Sequence, residues 1–456
     1  MSVSEPHQAV AAGLTLTDLV GRDVAILGAG REGLAVWRRL REHAPQQALT
    51  LYAEQDPGPG VRAGLGPRDR LVVAPLDGAR LAGHDLLVRS PGISPYREPL
   101  VRAREAGVAF TSGTNLWLAA HPRARTLCIT GTKGKSTTSA LLHHLLRAAG
   151  ARAALAGNIG VPLIDCDPGA ADWWVVELSS YQICDLRERP WLAVLLNLYD
   201  EHLDWHGGAA AYRRDKLRLA ALAPPGRLLA NGASAALRDA LAGHSDVSWY
   251  NVPGALERRD EALWDGANRL PDLPGAPGAH NLDNLAAALA VVDRLDLRPA
   301  PLAPALATFE GLPHRQRTIG ERDGLTFVDD SLSTTPVATL AALRALAGRP
   351  VTVLVGGLDR GIDWRPHAAD LAAAGPHALI GLPDSGASIL GALAAEGLAP
   401  PGGQFPAADM ASAVARAREM TPAGGVVLLS PGAPSFPHYR DYQARGEAFA
   451  RAAGIR

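Results

Sequence analysis

The 456-residue chain is expected to be an α/β protein built on mainly parallel sheets. Three observations predict this. Short apolar runs recur along the chain and end in Gly, Ser, Asp or Glu. Their near-continuous hydrophobicity suits strands buried on both faces. Ala/Leu/Arg stretches of helical spacing lie between many of them, and alternating strands and helices imply parallel sheets. The length corresponds to roughly three domains at ~150 residues each.

Taken in order, the first strands are read at "DVAILGAG" (23–30), "ALTLYAEQ" (48–55) and "HDLLVRSPG" (84–92), with "GLAVWRRLREH" as a helix after the first. "LGAGREG" (27–33) has the spacing G-x-G-x-x-G after a strand and before a helix. Glu54 follows about 20 residues later, as in a dinucleotide fingerprint. A redox cofactor, another diphosphate-bearing ligand at the helix N-terminus and a tight turn without ligand all remain open. Ser90, at the end of the later strand, is a further polar contact for such a ligand.

Strands then follow at "RTLCITG" (125–131), "WWVVELSS" (173–180) and "LAVLLNLYDEH" (192–202). The stretch "ITGTKGKSTT" (129–138) sits between a strand and "SALLHHLLRAAG". A P-loop of spacing G-x-x-x-x-G-K-[ST] would need glycine at 129, where this chain has Ile129. Gly131, Thr132, Gly134, Lys135, Ser136 and Thr137 still supply close-approaching amides, a point charge and a hydroxyl for Mg²⁺. Glu177 ends an apolar run, where a carboxylate needs a cation or a donor; Mg²⁺ or a salt bridge would serve. His202 lies in a loop after a strand and is read as a metal or phosphate contact, whereas His206 is read as structural. "YRRDKLRLA" is an amphipathic helix on which Lys216 would ordinarily be a surface lysine. Asn281 and Asn284, three apart, share a helix face and either read a base or cap the helix.

The last strands are read at "LTFVDDS" (325–331), "PVTVLVGG" (350–357) and "GGVVLLSPG" (424–432). Turn residues at 112–125 and 306–324 set the domains at 1–113, 114–311 and 312–456. Lys+Arg 45 against Asp+Glu 46 gives net charge −1, which argues against nucleic acid and basic membrane patches. Cys128, Cys166 and Cys184 form no zinc pattern and read as buried thiols of a reducing compartment. The N-terminus shows no leader pattern, and no charge-free apolar stretch of about 18 residues occurs, so neither export nor membrane insertion is expected. A cytoplasmic monomer is the expectation.

The ordered set "TGTKGKSTT", "GNIGVPL", "ELSSYQ", "DEHLDWHG", "YRRDKLRL", "HNLDNLAAALA", "LPHRQR", "DDSLSTTP" and "LLSPGAPSF" resembles the Mur ligase family over nearly the whole chain. That family's ATP loop is the short G-x-x-G-K-[ST] form. The resemblance implies a Rossmann-like first domain for a UDP-sugar, a P-loop-type ATPase middle domain and a Rossmann-like third domain for the incoming amino acid. It moves Gly28, Gly30, Arg31, Glu32, Gly33, Ser90 and Asn158 toward the UDP-sugar. It implies ATP contacts for Gly131, Thr132, Lys133, Gly134, Lys135, Ser136 and Thr137, for Asn281 and Asn284 near the adenine, and for Arg315 and Asp330. Two Mg²⁺ ions are implied, held by Ser136, Glu177, His202 and Lys216, the lysine carrying a carbamate. Lys135, His202 and Lys216 are the implied catalytic set.

The implied reaction is ATP-dependent joining of glutamate to UDP-N-acetylmuramoyl-L-alanine through an acyl phosphate. Thr334, Arg360, Ser435, Phe436 and Tyr442 are the implied amino-acid contacts. Where D-glutamate members read "DSKATN", this chain has "DDSLSTTP", with Leu332 for a lysine and Thr335 for an asparagine. Near the C-terminus "GAPSF" also departs from the D-glutamate pattern. These changes favour the branch that adds L-glutamate. The alternatives are a D-glutamate ligase, another amide ligase such as a folylpolyglutamate synthase, and, from a different class, an NAD-dependent dehydrogenase using "LGAGREG".

Overall fold

The computed structural model describes residues 10–276 and 278–455. The segment read for a leader lies partly outside them, in residues 1–9. The first sheet has order β3-β2-β1-β4-β5, all parallel. Its strands are β1 (Val24–Leu27), β2 (Leu49–Ala53), β3 (Arg70–Val73), β4 (Leu86–Arg89) and β5 (Ala109–Thr111), with α1 (Arg31–His43) following β1. Every residue of β1 and β4 is buried, as runs such as "VAIL" require in a sheet covered on both faces.

The second sheet, order β11-β10-β9-β6-β8-β7, is also parallel. It comprises β6 (Thr126–Thr130), β7 (Ala153–Gly157), β8 (Trp173–Glu177), β9 (Leu192–Leu195), β10 (Leu228–Asn231) and β11 (Val247–Tyr250). The helices α2 (Lys135–Ala148), α3 (Ala209–Leu222) and α4 (Ala279–Arg294) belong with it. A small antiparallel sheet of β12 (Leu256–Arg259), β13 (Ala262–Asp265) and β14 (Asn268–Arg269) follows. One core of Leu, Val, Ile and Trp runs through the first and second sheets, with Leu116, Trp117, Leu163 and Ile164 between them.

The third sheet has order β15-β16-β20-β17-β18-β19. Its strands are β15 (Arg317–Arg322), β16 (Leu325–Asp329), β17 (Val351–Val355), β18 (Ala378–Gly381), β19 (Gln404–Pro406) and β20 (Val426–Leu429). Only β15 runs antiparallel. The helices α5 (Pro336–Arg344) and α6 (Tyr442–Ala452) begin at side-chain caps from Thr335 and Asp441. The fold class is therefore α/β on three mainly parallel sheets. By contact density, one unit holds the chain up to Asp272 with Ala279–Leu306, and the other holds Leu273–Gly278 with Ala307–Arg456. The first two sheets share the former unit.

Candidate active site

The stretch 129–138 lies where ligands collect in a parallel sheet, at the carboxyl end of β6, between β8 and β9. Ile129 belongs to the strand, paired with Glu177 on one side and Val194 on the other. No glycine is needed there, because the turn begins only at Gly131. Gly134 has φ +83°, and a Cβ on it would come 2.2 Å from Asn284 Oδ1, so only glycine fits. Lys135 Nζ donates to the carbonyls of Gly131 (2.9 Å) and Thr132 (3.1 Å).

Two of the expected phosphate ligands, Thr132 and Lys133, also hold the loop itself together. The Thr132 amide donates to Asn197 O and its hydroxyl to Tyr199 O, while Tyr199 N–H donates back to that hydroxyl. Lys133 N–H donates to Asn197 Oδ1, and its ammonium pairs with Glu201 at 2.5 Å. Both residues shape the loop. At the mouth of α2 stand the backbone amides of Gly134, Ser136 and Thr137, which belong to the first-turn donors that a helix does not satisfy internally. Asn197, which grips the loop through Lys133 N and O, was not singled out in the sequence.

Asn284 Nδ2 donates to Asn281 Oδ1 (3.0 Å), and Asn284 Oδ1 accepts from Thr138 Oγ1 (3.2 Å). Both amides are buried against α2, behind the phosphate loop.

Glu177, fully buried at the end of β8, accepts from Asn158 Nδ2 through Oε1 (2.6 Å). Its Oε2 is buried with no hydrogen-bond partner among the described residues. An unpaired carboxylate oxygen beside a phosphate loop is a donor suited to a hard cation. His202, half-exposed and with φ +55°, stacks obliquely on Tyr181 and lies 3.7 Å from Glu201. Burial lowers its imidazolium below the ordinary range. Among the described residues no three His, Cys, Asp or Glu side chains form a metal-ligating cluster.

Lys216 is not a surface lysine. It is 2% exposed on α3, and its Nζ donates to Gly131 O at 3.1 Å, the same carbonyl that Lys135 uses. Burial first, and then the Lys135 charge, bring its ammonium down to about 7.

In the first sheet the glycine turn packs tightly. A Cβ on Gly33 would sit 1.9 Å from Gly28 O. Gly30 caps α1 with its backbone. The Ser90 hydroxyl is taken up by Gly28 O (3.1 Å) and so braces the turn. Arg31 reaches the carbonyls of Gly157, Asn158 and Gly160 in the second sheet's loop. Glu54 pairs with Arg97 through both oxygens, at 2.6 and 2.8 Å, so the acid required by the dinucleotide reading is already engaged.

Among the described residues, Glu32 accepts a 3.3 Å bond from Gln182, and burial pushes its carboxyl from 4.5 up to about 7. The folded protein thus holds this proton more tightly than the unfolded chain. The resulting stability is full below pH 4.5 and lost as pH rises through about 7. Glu32→Gln is expected to remove a penalty on the order of 3 kcal/mol near pH 8. It should raise the ligand-free thermal midpoint there and leave it nearly unchanged near pH 4. Melting curves of the two proteins that stay parallel across this range would refute this.

The two sheets of this unit are also joined by buried polar groups that the sequence did not reveal. Arg89 pairs with Asp185 at 2.6 Å, both nearly inaccessible. Asn115 donates to Asp185 O and accepts from Arg187 N, which accounts for an amide at this position. Tyr96 OH donates to Asp215 (2.7 Å), which also accepts from His206 Nδ1 (2.6 Å). His206 Nε2 then accepts from Ser180 Oγ at 3.0 Å. Both ring nitrogens of His206 are thus engaged in a buried network with Asp215 and Ser180.

In the C-terminal unit the predicted residues collect at the carboxyl ends of three adjacent strands, β16, β20 and β17. Asp330 accepts from Gln316 N, Ser333 Oγ and Ser430 Oγ, and burial lifts its carboxyl to about 6. Arg315 is the cation near it. Thr334 is exposed at the loop tip. Thr335, in place of an asparagine, caps α5 by accepting from Ala338 N. Leu332 is half-buried, its amide bonded to His314 O. Arg360 is exposed on the rim of a cavity of about 480 Å³ lined by Ile362, Trp364, Ser385, Ile389 and Ala433. Ser435 is half-buried, Phe436 is 63% exposed, and Tyr442 meets the His314 ring edge-on at 5.8 Å.

Comparison with known proteins agrees with this geometry. The description "Mur ligase middle domain" matches residues 129–253. The chain is 44% identical to a UDP-N-acetylmuramoyl-L-alanine--L-glutamate ligase of Xanthomonas axonopodis pv. citri, over 97% of both chains. A Micromonospora protein of the same name is 43% identical over 96% of this chain and 98% of its own. Among solved structures, MurF ligase from Thermotoga maritima in complex with ADP is similar with TM-score 0.58 and 16% identity, covering 97% of each chain. UDP-N-acetylmuramate-alanine ligase from Thermotoga maritima is similar with TM-score 0.57 and 17% identity, covering 95% of this chain and 99% of its own.

Proposed function

The chain belongs to the Mur ligase family, and from that premise we propose that it joins L-glutamate to UDP-N-acetylmuramoyl-L-alanine with ATP, in peptidoglycan precursor synthesis. The observation that carries the L-glutamate assignment is whole-length similarity to ligases named for that amino acid. The domains divide the labour as 1–113 for the UDP-sugar, 114–311 for ATP and 312–456 for glutamate. The protein works as a monomer in the cytoplasm, and no described helix is long and apolar enough to cross a membrane.

A carboxylate is a poor electrophile, so the ligase first phosphorylates it. Gly131, Thr132, Lys133, Gly134, Lys135, Ser136 and Thr137 form the loop that holds the ATP phosphates at the N-terminus of α2, and Lys135 leaves its loop carbonyls to balance the transferring charge. Asn281 and Asn284 back the loop on the adenine side, with Arg315 and Asp330 contributing from the C-terminal domain. Gly28, Gly30, Arg31, Glu32, Gly33, Ser90 and Asn158 form the UDP-sugar side. Glu177 Oε2, the Ser136 hydroxyl, His202 and a carbamate on Lys216 are oxygen and nitrogen donors that suit two Mg²⁺ ions. When bound, Mg²⁺ neutralises phosphate oxygens. A Lys216 amine that is neutral near pH 7 can take up CO₂. Thr334, Arg360, Ser435, Phe436 and Tyr442 orient glutamate so that its amine attacks the acyl phosphate, expelling phosphate.

The test is phosphate release with UDP-N-acetylmuramoyl-L-alanine and either enantiomer of glutamate. L-Glutamate should stimulate release at least about tenfold more than D-glutamate, because a pocket of fixed polar groups leaves them unpaired with the wrong hand. Stimulation by neither enantiomer would reject the ligase assignment. Preference for the D form would reject the stereochemistry.

A further inference from the structure

Arg445, in the first turns of α6, is 1% exposed and has no carboxylate within ion-pair distance among the described residues. Its guanidinium is spent on loops. Nε donates to Ser331 Oγ (3.0 Å), Nη2 to Ser331 O (2.8 Å) and Nη1 to Ala433 O (2.9 Å). Ser331 Oγ in turn donates to Tyr442 O (2.8 Å). A Cβ on Gly357 would lie 3.0 Å from Nη1, so a third loop closes over the same group. These are the loops after β16, β20 and β17, and they carry Thr334, Ser435 and Arg360.

A buried guanidinium with no carboxylate in ion-pair contact among the described residues is unfavourable; burial lowers its pKa to about 10, although the more distant Asp329 carboxylate acts the other way. Such a group persists where its rigid fork sets a geometry that a neutral side chain would not. The two loops it bonds, "DDSLSTTP" and "GAPSF", are also the two that depart from the D-glutamate pattern. We infer that Arg445 is a positioning residue for amino-acid selection: its fork sets the spacing between the Ser331 and Ala433 loops, and thereby the fit of one glutamate enantiomer. This rests on the reading of that strand edge as the glutamate site.

The test uses the full-length enzyme with L- and D-glutamate and three variants. Arg445→Lys keeps the charge and loses the fork. Ser331→Ala removes one acceptor and leaves the core intact. Arg360→Ala reports on the glutamate site itself. Arg445→Lys and Ser331→Ala should each raise KM for L-glutamate and shrink the L/D ratio of kcat/KM, by about tenfold for the lysine variant. KM for ATP and for the UDP-sugar should stay within about twofold. An Arg360→Ala protein with altered glutamate KM, alongside unchanged KM and L/D ratio in the other two, overturns the inference alone. If none of the three changes glutamate KM, the glutamate-site reading fails with it. A uniform fall in kcat with an intact L/D ratio would reduce Arg445 to a purely structural role and also overturns the inference.

Discussion

Lys135→Ala should lower kcat about 10³-fold or more while the protein stays folded. The side chain stands at the first position of α2, where alanine is a good helix former. Its bonds to the Gly131 and Thr132 carbonyls lie within the loop, so losing them costs about 1–3 kcal/mol of stability. The same ammonium carries positive charge within the loop, beside Lys133, which pairs with Glu201, and Lys216, which is buried. Charge developing on the transferring phosphoryl group would then lack its nearest compensation from the protein. Phosphate release measures the effect, with circular dichroism as the check on folding. A variant retaining more than about a tenth of wild-type turnover would show that another group supplies the charge.

Replacing Lys216 should separate activity from stability. Lys216→Met removes an amine that is buried with no carboxylate in ion-pair contact among the described residues and substitutes an apolar chain of similar length. Turnover should fall about 10³-fold, whereas the ligand-free protein should gain on the order of 1–3 kcal/mol. Lys216→Arg, which cannot become neutral, should be equally inactive without that gain. Wild-type protein, but neither variant, should bind isotopically labelled bicarbonate. An active methionine variant would remove Lys216 from the mechanism. An inactive variant that is also less stable than wild type would mean that Lys216 supports the fold instead.

Much of the site was legible because its chemistry is local in sequence. Glycine, lysine and hydroxyls within "TGTKGKSTT" form a loop whose parts are chain neighbours, and a strand-to-helix transition aims them at one point. Glu177 was legible for a related reason, as a carboxylate ending an apolar run. Other features depend on residues far apart in the chain. Lys216 looks like one cation on a polar helix, and its burial comes from α3 packing its Lys216 face against the Gly131 carbonyl. Tyr96 and Asp215, 119 residues apart, meet only because the first two sheets share a core. Thr132 and Lys133 match the motif letter for letter, yet Asn197 and Glu201 on another strand's loop claim their donors.

By itself the sequence determined the strand and helix alternation, the position of the phosphate loop and the family to which its ordered motifs belong. Each follows from hydrophobic periodicity and from residues within one turn or strand of each other. Only the tertiary structure decided which polar groups remain open to a ligand. Burial and hydrogen bonding are set by neighbours from other strands. Those neighbours engage Ser90, Thr132 and Glu54 in the scaffold, leave Glu177 Oε2 without a partner among the described residues, bring two lysines to one carbonyl, and put Arg445 beneath the loops that separate this chain from the D-glutamate pattern.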